Sequence, residues 1–511
     1  MYELPTGAEI QAIITTIKSG ALHFLPEIWL SGLFLLLILA DLVLRPKSHH
    51  VFSLMSLAGL AGSLWFIYQQ HAMVGTSIFF GMYVIDEFSL FFKYFFVVSA
   101  MLTVLLSMPS DELNERCSSL GEYYALVTGM LIGMIMMASA TDLLMIFLSM
   151  ELVSFAAYVL TGYLKRERRS TEAALKYLVY GAVSSAMLLY GFSILYGLTG
   201  TTAIAGISSV LMERGYDPLT MIVASVLIIT GIGYKIGAVP FHFWSPDVYE
   251  GAPLPVTAYL SVASKAAGFA LLIRFFYVAV PHVQGGEAFT PGMDWVTILM
   301  ILSVASMIYG NVVALWQTNV KRILAYSSIA HAGYALLGII VMDELGTQAT
   351  LFYLLSYLIM NFGAFLVAIL IANKTGSEHI DDYRGLGRRM PLAGAAMTVF
   401  LISLVGLPPT VGFIGKLMIF SALLAKGSVF VWLAVIGILT SVISLYYYML
   451  IPLNMYLRES HKQLPDSLPS PFLPQLVTAA LMMLTIYYGI FFTPLSDFAR
   501  YAVALFANQL Y

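Results

Sequence analysis

The chain has 511 residues, 60% of them hydrophobic and only 10% charged, with a formal net charge of −3 and one cysteine. A soluble chain carries about 25% charged residues, so this one has too little polar surface to cover itself in water, and lipid is its natural solvent. The weak charge argues against a nucleic-acid partner, and Cys117 alone leaves no disulfide, no CxxC pair and no thiolate cage for zinc or an iron–sulfur cluster.

One crossing of a bilayer takes about 20 apolar residues in a helix. The start of the chain, Met1 to Gly20, carries Glu3, Glu9 and a single lysine, unlike the basic start of a signal peptide. The first apolar run, 22–43, is therefore predicted to stay as a helix. Further runs follow at 51–70, 77–108, 120–138, 142–163, 171–199, 218–240, 253–281, 293–317, 320–341, 347–373, 391–424, 427–457 and 472–492. The third, twelfth and thirteenth are long and call for tilt, breaks or protruding ends. The fold class is an all-α polytopic membrane protein of about fourteen transmembrane helices.

The distribution of basic residues tests that count, because cytoplasmic loops collect Lys and Arg. With the first helix starting outside, alternate loops on the inner side hold fifteen basic residues, from Arg45 and Lys47 through Arg116, Lys165–Arg169, Lys321, Arg322, Lys374 and Arg384–Arg389 to Arg458 and Lys462. The outer segments hold four: Lys18, Arg214, Lys426 and Arg500. A missed or invented helix would scramble this asymmetry, so fourteen helices with both termini outside are favoured. Six basic residues then fall in no loop: Lys93, Lys176, Lys235, Lys265, Arg274 and Lys416.

Runs four to eight and nine to thirteen can form two five-helix units, the second inverted because the count per unit is odd. This divides the chain into 1–119, 120–281, 282–457 and 458–511. The fourth member of each unit is interrupted: the seventh run reads Gly231-Ile-Gly-Tyr-Lys235-Ile-Gly-Ala-Val-Pro240, and the twelfth Gly406-Leu-Pro-Pro-Thr-Val-Gly412-Phe-Ile-Gly-Lys416. Interrupted helices at matching places in inverted halves mark transporters, although Gly and Pro also occur in plain transmembrane helices. A lysine stands beside each interruption.

A charge at the bilayer centre costs about 2.5–3.5 kcal/mol on insertion scales. Glu151 is mid-run, and Lys235 and Lys265 are similarly central; Lys416 follows the twelfth-run break. Each suits either a structural ion pair or a functional role. Lys176 lies five residues inside its run, where it can snorkel to the interface. Lys93 and Arg274 lie nearer run ends, where structural roles are the simpler reading. His331 is either a hydrogen-bonded core residue or a proton-relay group, and the same choice holds for His242 at a helix end. Burial disfavours a lysine's charged form and a neighbouring glutamate favours it. A row of such lysines joined by water can pass protons along the midplane. There is no GxGxxG, no Walker A loop and no HExxH.

The stretch Leu175–Ala186, the block Lys235-Ile-Gly-Ala-Val-Pro-Phe-His-Phe-Trp-Ser-Pro-Asp-Val-Tyr-Glu-Gly-Ala-Pro and the run Asn311–His331 resemble the antiporter-like subunits of respiratory complex I, the NADH–quinone oxidoreductase. The pattern is most similar to the N-type branch, and a lysine rather than a glutamate at 416 fits that branch better than the M and L types. The resemblance covers roughly residues 25–490. It implies two inverted five-helix repeats with the seventh and twelfth helices discontinuous, and a bacterial inner (plasma) membrane location with both termini periplasmic. It also implies roles: Glu151 as the charge partner of Lys235, Lys176 in the same coupling group, Lys265 as the central relay, His331 on the route onward and Lys416 as the terminal site. It assigns nothing to Lys93 or Arg274. Neighbours of the K and M types are implied. The chain itself is expected to hold no cofactor, with NAD, FMN, iron–sulfur clusters and quinone on partner subunits. It is thus expected to be a non-redox, proton-translocating part of an enzyme. Three rivals compete with this: a subunit of a multi-subunit cation/proton antiporter, a quinone-reducing or electron-transfer subunit, and a passive scaffold.

Overall fold

The fold was obtained as a computed structural model, which describes residues 6–44, 50–117, 119–279, 295–460, 465, 468 and 471–507. The elements in chain order are α1 (Gly7–His23), α2 (Leu25–Leu44), α3 (His50–Gln70), β1 (Thr76–Ile78), β2 (Tyr83–Ile85), α4 (Glu87–Ser107), α5 (Asp111–Asn114), α6 (Gly121–Ser139), α7 (Leu143–Thr161) and α8 (Arg168–Thr199). Then come α9 (Ile204–Arg214), α10 (Pro218–Ile236), α11 (Ser245–Gly251), α12 (Leu254–Tyr259), α13 (Lys265–Ala279), α14 (Trp295–Ala314), α15 (Val320–Ile340) and α16 (Glu344–Thr375). The chain closes with α17 (Leu386–Arg389), α18 (Pro391–Val405), α19 (Val411–Lys426), α20 (Val431–Leu457), α21 (Phe472–Ile490) and α22 (Thr493–Ala507).

Thirteen helices among the described residues are long and apolar enough to cross a membrane. They correspond to thirteen of the fourteen predicted runs, and the remaining run, the twelfth, is the pair α18 and α19. The continuous segment Leu254–Val278 and α15 are buried on every side, and α16 nearly so, whereas α2, α20 and α21 keep most of their surface outward. A helix apolar all round belongs inside a bundle, so α12–α13, α15 and α16 form the centre.

Short polar caps set where the helices begin. Asp142, Asp217, Asn319 and Asp343 each accept a backbone N–H of the first turn of α7, α10, α15 and α16, satisfying donors that a helix start leaves free. Both predicted interruptions are present. α10 ends at Gly237 (φ 69°) and α18 at Gly406 (φ 89°), left-handed positions that suit glycine, and each is followed by a cis X–Pro bond, Val239–Pro240 and Pro408–Pro409. A third irregularity had no sequence signal. A π-turn, Leu260–Ser264, joins α12 to α13 and ends immediately before Lys265. Single π-turns inside helices often mark functional sites.

The third run differs from expectation. Residues 76–85 form an antiparallel hairpin, β1 pairing with β2, and α4 begins only after Asp86, whose side chain caps it in a reciprocal bond with Ser89. Phe79 and Phe80 both take positive φ at the hairpin turn, the geometry a tight hairpin demands. Their apolar character disguised the turn as helix. Six further helices, α1, α5, α9, α11, α17 and α22, were not predicted because each is shorter than a crossing. The expected boundary at 281/282, the loop charges Arg45, Lys47 and Lys462, and Glu3 lie outside the described residues.

Candidate functional site

The site begins on α7. Glu151 is half-buried, with one carboxylate oxygen shielded from solvent and without a hydrogen-bond partner among the described residues. One turn on, Ser154 Oγ accepts from Lys235 Nζ at 3.2 Å. Lys235 thus reaches the helix of Glu151 and bonds the hydroxyl beside it, and among the described residues the two charges form no direct ion pair. Lys235 is the penultimate residue of α10. Gly268 lets α13 lie against it, because a Cβ there would sit 3.2 Å from Lys235 Cγ and 2.8 Å from Ile236 Cγ2.

Lys265 opens α13 next to the seventh-helix break. Its ammonium lies 3.2 Å from where a Cβ on Gly237 would be. It donates to Ser328 Oγ at 2.8 Å and to the Ser328 carbonyl at 3.0 Å, and it faces the Tyr249 ring at 6.0 Å.

α15 carries the route onward. Ser328, His331 and Tyr334 are spaced by three residues, which puts them on one face over about 9 Å of helix axis. His331 Nδ1 meets the Tyr353 hydroxyl at 2.6 Å and Nε2 the Tyr448 hydroxyl at 3.0 Å. The Tyr448 hydroxyl also bonds Ser327 Oγ. Hydroxyls both donate and accept, so either tautomer of the ring is satisfied here. Three residues further, the Tyr334 ring lies under Lys416 Nζ, 4.4 Å from its centroid.

Lys416 sits on α19 and folds back across the break in its own helix. It donates to the carbonyls of Leu404 (3.1 Å) and Val405 (2.7 Å) and to Ser441 Oγ (2.6 Å). The last carbonyls of a helix have no partner within it and carry its negative dipole end, so the ammonium caps α18.

Five of the six predicted groups therefore fall in two neighbourhoods without a continuous chain of bonds between them: Lys235 bonds Ser154 one turn from Glu151, and Lys265, His331 and Lys416 each touch α15 or a residue on it. Lys176 stands apart. Its side chain is 40% exposed and pairs with Asp247 Oδ2 at 2.6 Å and Glu172 Oε1 at 2.9 Å, the position that snorkelling allows.

Other charges resolve differently. Lys93 forms a wholly buried ion pair with Glu27 at 2.9 Å, and Arg274 grips Asp86 with two bonds of 2.8 and 2.9 Å while donating to the Ala138 carbonyl. Both partners lie far away along the chain, where a sequence gives no sign of pairing. Lys321, counted with the loops, is instead buried and paired with Glu378 at 2.5 Å. His242 is buried between Phe243 and Tyr309, and neither ring nitrogen has a hydrogen-bond partner among the described residues. Its apolar flank Phe241-His-Phe243-Trp244 was the available sign. Burial and the nearby Glu112 push the Cys117 thiol up from its ordinary pKa, consistent with an inert thiol.

Comparison with known proteins bears on this geometry. Residues 140–444 match the family described as "NADH:quinone oxidoreductase/Mrp antiporter, TM". The chain is 67% identical to the NADH-quinone oxidoreductase subunit N of Chlorobium chlorochromatii over the whole of both chains. Among solved structures it is similar to a chain of respiratory complex I from Thermus thermophilus, with 31% identity, a TM-score of 0.75 and coverage of 92% of this chain and 98% of that one. It also shares its fold with a chain of the Mrp complex from Dietzia, at 20% identity and a TM-score of 0.79, over 94% and 97% of the two chains.

Proposed function

Since this chain belongs to the NADH:quinone oxidoreductase/Mrp antiporter transmembrane family, we propose that it is a proton-translocating subunit in the membrane arm of a bacterial complex I. The observation that carries this reading is the stripe on α15, where Ser328 holds Lys265, His331 bonds a tyrosine hydroxyl and the Tyr334 ring faces Lys416. Protons held by Lys235 and Lys265 pass along this face through the His331 ring and its two tyrosine hydroxyls to Lys416. Glu151, one turn from the Ser154 that binds Lys235, sets how firmly Lys235 keeps its proton. Lys176 belongs to the coupling group at that end. A proton crossing the membrane field carries work of about 2.3 kcal/mol per 100 mV, and its source is quinone reduction elsewhere, communicated as a shift of these buried charges. The Glu151–Lys235 gap is the two-state element such coupling requires.

In this reading NAD, FMN, iron–sulfur clusters and quinone reside on partner subunits; a chain with one cysteine cannot cage a cluster on its own. The fold comprises fourteen crossings with both termini periplasmic, counting α18 and α19 as one broken helix. The inverted units are 120–281 and 282–457, between an N-terminal part, 1–119, and the tail 458–511. K-type and M-type subunits flank it. A second reading, a subunit of a multi-subunit cation/proton antiporter, is favoured by the shared fold with the Mrp chain, but the full-length identity favours complex I. The test is proton uptake in vesicles alongside assembly for Lys235→Ala and Lys265→Ala. Both complexes are expected to assemble and accept electrons while losing proton uptake; wild-type pumping in both overturns the relay.

A further inference from the structure

The short helix α11 is two-sided. Asp247 and Glu250 are three residues apart and share a face. Asp247 pairs with Lys176 of α8 at 2.6 Å and Arg322 of α15 at 3.0 Å; Glu250 pairs with the same Arg322 at 2.8 Å and with Arg169 at 3.8 Å. Lys321 donates to the carbonyls of Glu250 (3.4 Å) and Ala252 (3.0 Å) at the end of α11, where a cation satisfies unpaired carbonyls. Alternating charges therefore strap α11 between α8 and α15.

The opposite side of α11 meets the row of buried groups. Trp244, at its N-cap, stacks on Tyr177 (centroids 4.6 Å apart) and donates to the carbonyl of Tyr234, the residue before Lys235, at 3.1 Å. The Tyr249 ring faces Lys265, and the Tyr249 hydroxyl lies 3.5 Å from the Ser328 Oγ that holds Lys265. A shift of α11 therefore moves the walls around both lysines.

From this we infer that Lys176 is a positioning residue and not a carrier of protons. Its charge, through Asp247, holds α11 in the place from which Trp244 and Tyr249 bound the gap between Lys235 and Lys265. The inference rests on the relay reading above and narrows it: Lys176 must be charged, whereas Lys235 must be able to lose its proton. The half-exposed setting of Lys176 and Asp247 fits a charge that water keeps permanently ionised.

Arginine separates the two roles, because it keeps an ion pair and never gives up its proton at working pH. The experiment compares Lys176→Arg, Lys176→Gln, Asp247→Asn, the Lys176→Gln/Asp247→Asn double variant and Lys235→Arg in the assembled complex, reading proton uptake against electron transfer. Lys176→Arg is expected to pump within about twofold of wild type. Lys176→Gln and Asp247→Asn each lose up to about fivefold, the most that a half-exposed pair biases an equilibrium, and the double variant is no worse than either single one. Lys235→Arg is expected to stop pumping. If Lys176→Arg fails like Lys176→Gln while Lys235→Arg also fails, the positioning role is overturned and the relay stands with Lys176 in it. If Lys235→Arg pumps normally, the relay is overturned and the inference with it.

Discussion

Lys265 is tied twice to Ser328, once to its hydroxyl at 2.8 Å and once to its carbonyl at 3.0 Å. Ser328 precedes His331 by three residues on a helix buried on all sides. The lysine beside the seventh-helix break is thereby coupled to the helix that leads toward the twelfth-helix break, with no soluble loop between them.

His331 should separate hydrogen bonding from proton carriage. Gln can bond both Tyr353 and Tyr448 but cannot exchange a proton as imidazole does, whereas Leu takes the partner from the buried Tyr353 hydroxyl, at about 1–3 kcal/mol, and leaves Tyr448 with Ser327. His331→Gln is expected to keep the thermal stability of the complex and lose proton uptake. His331→Leu is expected to lose both. Thermal melts of the purified complex and vesicle pumping assays give the two readouts, and full pumping in His331→Gln contradicts a relay through this ring.

Lys416 should be needed for its positive charge as well as for its proton. Replacing it by Gln keeps a donor toward the Leu404 and Val405 carbonyls, while Glu turns a carboxylate onto them at the negative end of α18. Lys416→Glu is expected to be less stable than Lys416→Gln by about 1–3 kcal/mol, read as the difference in unfolding midpoint. Equal midpoints contradict the capping role.

Lys93 should behave in the opposite way to the relay lysines. It and Glu27 are both wholly buried, with Gln70 taking a second bond from the ammonium at 2.6 Å and Tyr83 donating to the carboxylate. Breaking such a pair from one side costs about 3–5 kcal/mol, whereas removing both charges is often nearly neutral. Lys93→Met is expected to lower stability sharply, Glu27→Gln/Lys93→Met to recover most of it, and proton uptake per electron to stay at wild-type level in whatever complex survives. A normal melt with defective pumping in Lys93→Met places it instead among the working charges.

The membrane class and the two interruptions were legible because they rest on local chemistry. Apolar runs need lipid, and Gly237 and Gly406 lie where a helix must end in a left-handed residue. The burial of Lys235, Lys265 and Lys416 was legible because no loop could hold them and a charge in an apolar run is costly. What joins them was not, because Tyr353, Tyr448 and Ser441 come from distant helices and look like ordinary core residues in their own segments. The hairpin at Thr76–Ile85 hid in apolar composition. Lys321 hid at a run boundary, and its burial depends on Glu378, which lies far along the chain. Lys176 was ambiguous by a single turn of helix, and only the position of Asp247 decides it.

The most direct test of the relay is the number of protons translocated per electron transferred in Lys265→Arg. Arginine can hold Ser328 and the positive charge but cannot release a proton. The expected result is an assembled complex that still reduces quinone with a lower ratio than wild type. An unchanged ratio would show that Lys265 supplies charge alone and that protons do not pass through it.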